Sequence, residues 1–139
     1  MPKKPGIVKL MYESEYCEVS YNKEINIVLV KWKKFCYQNN YRQPLLAALD
    51  IMKQYKNCNY VADTRNGFEN KEEDTEWLFR EFLPKASLTN CKIIFFIINE
   101  DNKLKEELEG QSVELKKFFE VIYCFGLNEV KEILKQKTV

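Results

Sequence analysis

The chain contains no histidine. That absence removes Ser-His-Asp and Cys-His catalysis within the chain, imidazole general bases, and any zinc site built on imidazole. Glycine is scarce, at four residues, and never clustered, so no glycine-rich loop is present to cradle a phosphate. No Cys-x-x-Cys occurs. The five cysteines, Cys17, Cys36, Cys58, Cys91 and Cys124, are widely spaced. An odd count without a secretion signal points to reduced thiols that fill the core, not to disulfides. No apolar run is long enough to cross a bilayer; the longest, residues 93–98, is strand-sized, so no membrane insertion is expected. Neither sign of charge dominates. The 22 basic and 21 acidic residues leave a net charge of +1, which argues against a nucleic-acid partner. The opening Met1-Pro2-Lys3-Lys4-Pro5-Gly6 lacks the apolar core and cleavage site of a signal peptide, which points to the cytoplasm. No cofactor and no metal are expected.

At 139 residues the chain is read as one domain over 1–139, long enough to bury a core of its own. Three strands are predicted at 8–13, 16–21 and 25–32, with a turn at Asn22-Lys23-Glu24, forming an antiparallel meander. A loop over 33–40 leads to a helix starting between Asn40 and Pro44, since proline suits only the first turn. Leu45, Ala48, Leu49, Met52 and Tyr55 form its apolar stripe. A strand at 58–63 runs into the polar turn Asp63-Thr64-Arg65-Asn66-Gly67. Asn70 with Glu73 is then read as capping a second helix, which Pro84 ends or kinks. Residues 93–98 are apolar on both faces, as in a strand of a covered parallel sheet. A third helix over 104–118 is expected in two pieces, broken at Gly110. A sixth strand at 120–125 precedes a last helix capped by Asn128. The alternation of strands and helices predicts an α/β fold: a mixed, mostly parallel sheet with an antiparallel meander at one edge and about four helices.

In such sheets, ligand and catalytic groups gather at the carboxyl ends of the strands. Asp63, Arg65 and Asn66 fall there. They read either as an anion or small-molecule site with Arg65 as donor fork, or as a satisfied turn in which Arg65 pairs with Asp63. Trp77 and Arg80 lie off the Leu78 and Phe82 stripe. They read either as an exposed interaction anchor, or as a Trp at the core margin with Arg80 stacked on it or paired to Glu76. Lys33, beside Trp32, Lys34 and Phe35, could join Arg65 around an anionic ligand, although two lysines are too few for nucleic acid. Glu100 and Asp101 with Asp63 have no ligand spacing for a cation. The acidic run Lys71-Glu72-Glu73-Asp74 is accounted for by the helix dipole.

The order of elements resembles the small SpoIIAA-like, STAS-related single-domain proteins found in bacteria of the Bacteroides type. The residues that carry the likeness are Asp63-Thr64-Arg65-Asn66, then Glu73-Asp74-Thr75-Glu76-Trp77-Leu78 and Phe82-Leu83-Pro84 before an apolar strand. The resemblance covers most of the chain and implies a STAS-like fold. It also implies a comparison with the Asp-Ser-Ser turn of STAS antagonists, whose second Ser is phosphorylated. Arg65 stands at that place here, and Thr64 is one position early. Most such small proteins have no assigned chemistry. The expectation drawn is a non-catalytic, cytoplasmic interaction module. It would dock another protein, or a second copy of itself, at the Asp63 turn and the Trp77 helix, with a homodimer also reachable through the meander edge. The alternative is a small anionic or amphipathic ligand held at the Asp63–Asn66 corner.

Overall fold

The computed structural model describes residues 7–67, 71–100 and 105–137. Six strands, β1 (Val8–Glu13), β2 (Cys17–Asn22), β3 (Ile27–Trp32), β4 (Asn59–Asp63), β5 (Ile93–Ile97) and β6 (Glu120–Cys124), pair strictly in chain order. β1, β2 and β3 are antiparallel; β3 to β6 are parallel. The expected α/β architecture, meander followed by parallel sheet, is what forms. A bulge at Met11, between Leu10 and Tyr12, interrupts the β1–β2 register. Bulges of this kind twist an edge strand away from further pairing.

The connections are α1 (Asn39–Gln54), the run α2 (Glu72–Trp77), a π turn (Leu78–Phe82) and α3 (Leu83–Ser87), then α4 (Lys105–Leu115) and α5 (Leu127–Lys137). Counting α2 to α3 as one continuous helix gives four helical units among the described residues. The sheet buries both faces, and unequally. One face carries α1, the α2–α3 run and the end of α4 over Val19, Val30, Tyr60, Ile94 and Phe96. The other carries α5, whose Val130 closes over Ile27, Val61, Phe95 and Ile97. All of β5 is buried, as its unbroken apolar sequence requires.

Several local expectations are corrected. α1 begins at Asn39, so Pro44 sits in its second turn. Only one backbone bond is lost there, the one to the exposed Asn40, and Pro44 is itself buried. Pro84 does not end its helix. The π turn absorbs it: the Leu83 N–H reaches back five residues to the Leu78 carbonyl, and Pro84 falls in the first turn of α3, where no donor is needed. α4 passes through Gly110 unbroken, since the roughly 1 kcal/mol a glycine costs is too small to stop the helix. Asn128 lies inside α5; Glu129 instead accepts the Phe125 N–H at 3.1 Å. Asn70 and Asp101 lie outside the described residues, and Lys71, which precedes α2, gives it no side-chain cap.

Candidate functional site

β4 delivers Asp63 to the carboxyl edge of the sheet, where the chain turns through Thr64 to Gly67. Asp63 is buried, and Arg65 grips it. Arg65 Nε donates to Oδ1 at 3.0 Å, Nη2 to Oδ2 at 2.8 Å, and the Arg65 N–H to Oδ1 at 3.2 Å. This two-pronged pairing holds the guanidinium pKa above its ordinary value, chiefly through the hydrogen bond to Asp63. Arg65 also ties neighbouring loops together. Its Nη1 reaches the Phe125 carbonyl after β6 at 3.5 Å, and its own carbonyl accepts from Asn99 Nδ2 after β5 at 2.9 Å.

Thr64 is fully buried. Its N–H and its hydroxyl both donate to the Ile97 carbonyl, at 2.9 and 2.8 Å. A hydroxyl so enclosed is not presented to a kinase, so the one-place-early phosphoacceptor is not accessible in this fold. Gly67, at φ +137°, lies flat against the loop after β3. A Cβ there would sit 3.2 Å from the Phe35 nitrogen and 3.3 Å from Lys34 backbone atoms. Loops following β3, β4, β5 and β6 therefore converge on residues 64–67.

Of the two readings of Asp63 and Arg65, the geometry is that of a satisfied turn. Asn66 is exposed beside them. Lys33 is not part of this corner. Its Nζ turns to the β1–β2 hairpin, 3.0 Å from the Ser14 carbonyl and 3.4 Å from Glu13 Oε2. Lys34 does likewise with Glu15 at 2.9 Å. Asp63, Arg65 and Asn66 line neither the apolar cavity beside Trp32 and Tyr60 nor the open clefts beside Tyr55, Lys131, Glu72 and Asn39.

Trp77 belongs to the core, at 9% exposure. Its ring meets Tyr41 edge-on at 6.5 Å, and Tyr41 stacks on Trp32 at 5.3 Å. The cation over Trp77 is Arg42, at 5.5 Å, and not Arg80. Arg80 is exposed on the π turn, 4.0 Å from Glu81.

Sequence reasoning passed over the residue beneath this cluster. Asp74 is fully buried, and its carboxylate accepts the Gln38 N–H at 3.0 and 3.2 Å and Arg42 Nε at 3.1 Å. Gln38 has a left-handed backbone, φ 54°, at the head of α1. A carboxylate from α2 thus caps α1 and holds it in a conformation that side chains other than Gly avoid. The signal was available: Asp74 lies three and four residues before Trp77 and Leu78, on the stripe that faces the core. Sequence reasoning named Phe35 only as part of a basic cluster, and missed Tyr37 and Phe125, the other exposed aromatics of this edge. Phe35 and Tyr37 follow β3, and Phe125 follows β6, at 40%, 45% and 45% exposure. Phe35 and Tyr37 lie 5.9 Å apart, and Lys71 sits 4.1 Å over Tyr37.

The five thiols are buried. Burial pushes Cys36 and Cys124 up to about 11, Cys58 and Cys91 up to about 12, and Cys17 higher still. A backbone hydrogen bond from Gly126 and, after it, the charge of Arg65 act against that burial at Cys124 without overcoming it. None has the lowered pKa of a nucleophilic cysteine. Among the described residues no group of three or more acidic or thiol side chains could hold a metal ion. No family model matches this chain, and neither does any curated protein or solved structure.

Proposed function

We propose that this domain is a non-catalytic interaction module of STAS-like architecture that captures another protein on the platform at the carboxyl edge of its sheet. The observation that carries this reading is the set of exposed aromatics, Phe35, Tyr37 and Phe125, arranged around a corner whose charges are already paired. Gly67 packs on the Phe35 backbone and Arg65 on the Phe125 carbonyl, so the three rings and the exposed Asn66 are mounted on one interlocked set of loops. Aromatic side chains and Arg are the usual anchors of protein interfaces, and a rigid mount lowers the ordering cost of binding. Arg65 keeps 41% of its side chain exposed and can add a hydrogen bond to a docked carbonyl without leaving Asp63. The enclosed thiols and the absence of histidine support a role without chemistry. The STAS-like part of the reading rests on the order of elements and on the Asp63 turn followed by the Trp77 helix. The unpaired cysteines support a cytoplasmic setting, where thiols are kept reduced.

The test is affinity capture from the native host with wild-type protein and with the triple variant Phe35→Ala, Tyr37→Ala, Phe125→Ala. The expected result is a stoichiometric partner, or a second copy, that the wild type retains and the variant loses at unchanged melting temperature. Retention of the same partner by the triple variant overturns the platform. A wild type that elutes alone as a monomer overturns the module.

A further inference from the structure

A second feature stands at the opposite end of the sheet, and it is built differently. Tyr21, near the end of β2, and Tyr55, just past α1, stack face to face with ring centroids 3.8 Å apart and planes 7° from parallel. The pair is clamped. Tyr21 donates its hydroxyl to Asn26 Oδ1 at 2.7 Å, and Asn26 Nδ2 donates to the Lys56 carbonyl at 2.9 Å. With Val8, Lys9 and Lys23 the two rings line a cleft of about 510 Å³. That volume lies within the range of small-ligand sites.

Charge distinguishes this cleft from the carboxyl edge. There, Lys33 and Lys34 are each bound to a glutamate. Here, Lys9 and Lys23 are exposed, and neither makes an ion pair among the described residues. Their backbones are fixed: Lys9 stands opposite Tyr21 in the β1–β2 register, and the Lys23 N–H donates to the Ile7 carbonyl at 2.7 Å. Lys53 and Lys56, also exposed, flank Tyr55 and offset the partial negative charge at the carboxyl end of α1. The nearby acid Glu24 is taken by Lys131 at 3.4 Å. A preformed aromatic wall is thus bordered by ammonium groups that have no ion-pair partner among the described residues.

We infer that this cleft binds a small planar aromatic molecule bearing a phosphate or carboxylate, the ring against the Tyr21–Tyr55 wall and the anion between Lys9 and Lys23. Stacking supplies contact without base-specific hydrogen bonds, and the two lysines supply the charge. The site lies at the amino ends of the parallel strands and is independent of the docking platform.

The test is an amide NMR titration of the full chain with two probes, adenosine monophosphate and 4-hydroxybenzoate, with adenosine and inorganic phosphate as half-ligands. The expected result is saturable shifts centred on Lys9, Lys23 and Tyr55 with at least one probe, each half-ligand binding about tenfold more weakly or worse. The phosphate and carboxylate sources are told apart by which probe saturates. Lys9→Gln with Lys23→Gln should weaken that probe at least about tenfold, leaving adenosine unaffected and the melting temperature unchanged. Tyr55→Leu should weaken adenosine as well. Phosphate binding as tightly as the monophosphate would reduce the cleft to a patch of charge and overturn the proposal. So would a double variant that binds normally, or neither probe saturating by about 10 mM.

Discussion

The Asp74 carboxylate accepts the backbone N–H of Gln38 with both oxygens, joining the first turn of α2 to the head of α1 across 36 residues of sequence. It also holds Arg42, which lies over Trp77. Replacing Asp74 by Ala would leave a guanidinium and a backbone donor without their partner, and would release the left-handed Gln38. The expected loss is about 3–5 kcal/mol, as for other buried pairs broken on one side. Asp74→Asn, which keeps one acceptor, should fall between. Urea unfolding of the three proteins measures it; a loss under 1 kcal/mol for the Ala variant, on the order of noise for a buried group, would mean that the cap carries no weight.

Gly67→Ala tests the seam between the loops after β3 and β4. The substitution adds a Cβ at φ +137° and presses it on the Phe35 and Lys34 backbone, which cannot swing aside as a side chain would. A cost of about 1–3 kcal/mol is expected. Because the displaced backbone carries Phe35, partner capture should weaken beyond what the lost stability explains. Amide shifts confined to residues 64–67, with 33–38 unmoved, would contradict the coupling.

Trp77 and Phe35 make a contrasting pair of large aromatics. Trp77→Ala should cost about 3–5 kcal/mol, because its ring is enclosed by Tyr41 and Arg42. Phe35→Ala should stay within about 0.5 kcal/mol, as at other exposed positions. Thermal melts of the two variants decide this. Reversal of the order would assign Trp77 to the surface.

Alkali should unfold the domain earlier than its ion pairs alone would dictate. Burial raises Cys36 and Cys124 to about 11 and Cys58 and Cys91 to about 12. The unfolded chain releases these protons nearer the ordinary thiol value. Between the two, the folded state holds more protons, so the stability contributed by the neutral thiols is full below the ordinary value and is lost as pH rises through about 11 to 12. Urea midpoints should hold level up to the ordinary thiol value of 9.0 and then drop steadily as pH rises to about 11, and Cys124→Ala should flatten the slope. Iodoacetamide should label five thiols in denaturant and none at a comparable rate in the native protein.

Most of the architecture was legible because its signals are local. The unbroken apolar run of β5, the β-branched residues of β3 and the apolar stripe of α1 each mark an element from its own residues. What escaped depends on partners distant in sequence. Pro84 looked like the end or a kink of its helix because a π turn, which takes it in stride, has no period of its own to read. Asp74 looked like dipole decoration because its partners, Gln38 and Arg42, lie on another helix. Trp77 lay off the Leu78 stripe yet is covered by Tyr41, again from α1. The candidate corner was located through the turn after β4, but the exposure of Phe35, Tyr37 and Phe125 is set by how four loops meet, which no single segment encodes.

The order of the strands has a consequence for how the protein is made. Each strand pairs with the one synthesised just before it, so no gap in the sheet has to be held open for a later segment. The meander can close as soon as it leaves the ribosome, and each further strand extends it by one. The exception is the core beneath α5. Ile27, Val61, Phe95 and Ile97 wait uncovered until Val130, from α5, has been made. A nascent chain stalled before residue 127 would therefore display a nearly finished sheet with one bare apolar face, the form of this protein that a chaperone would most readily hold.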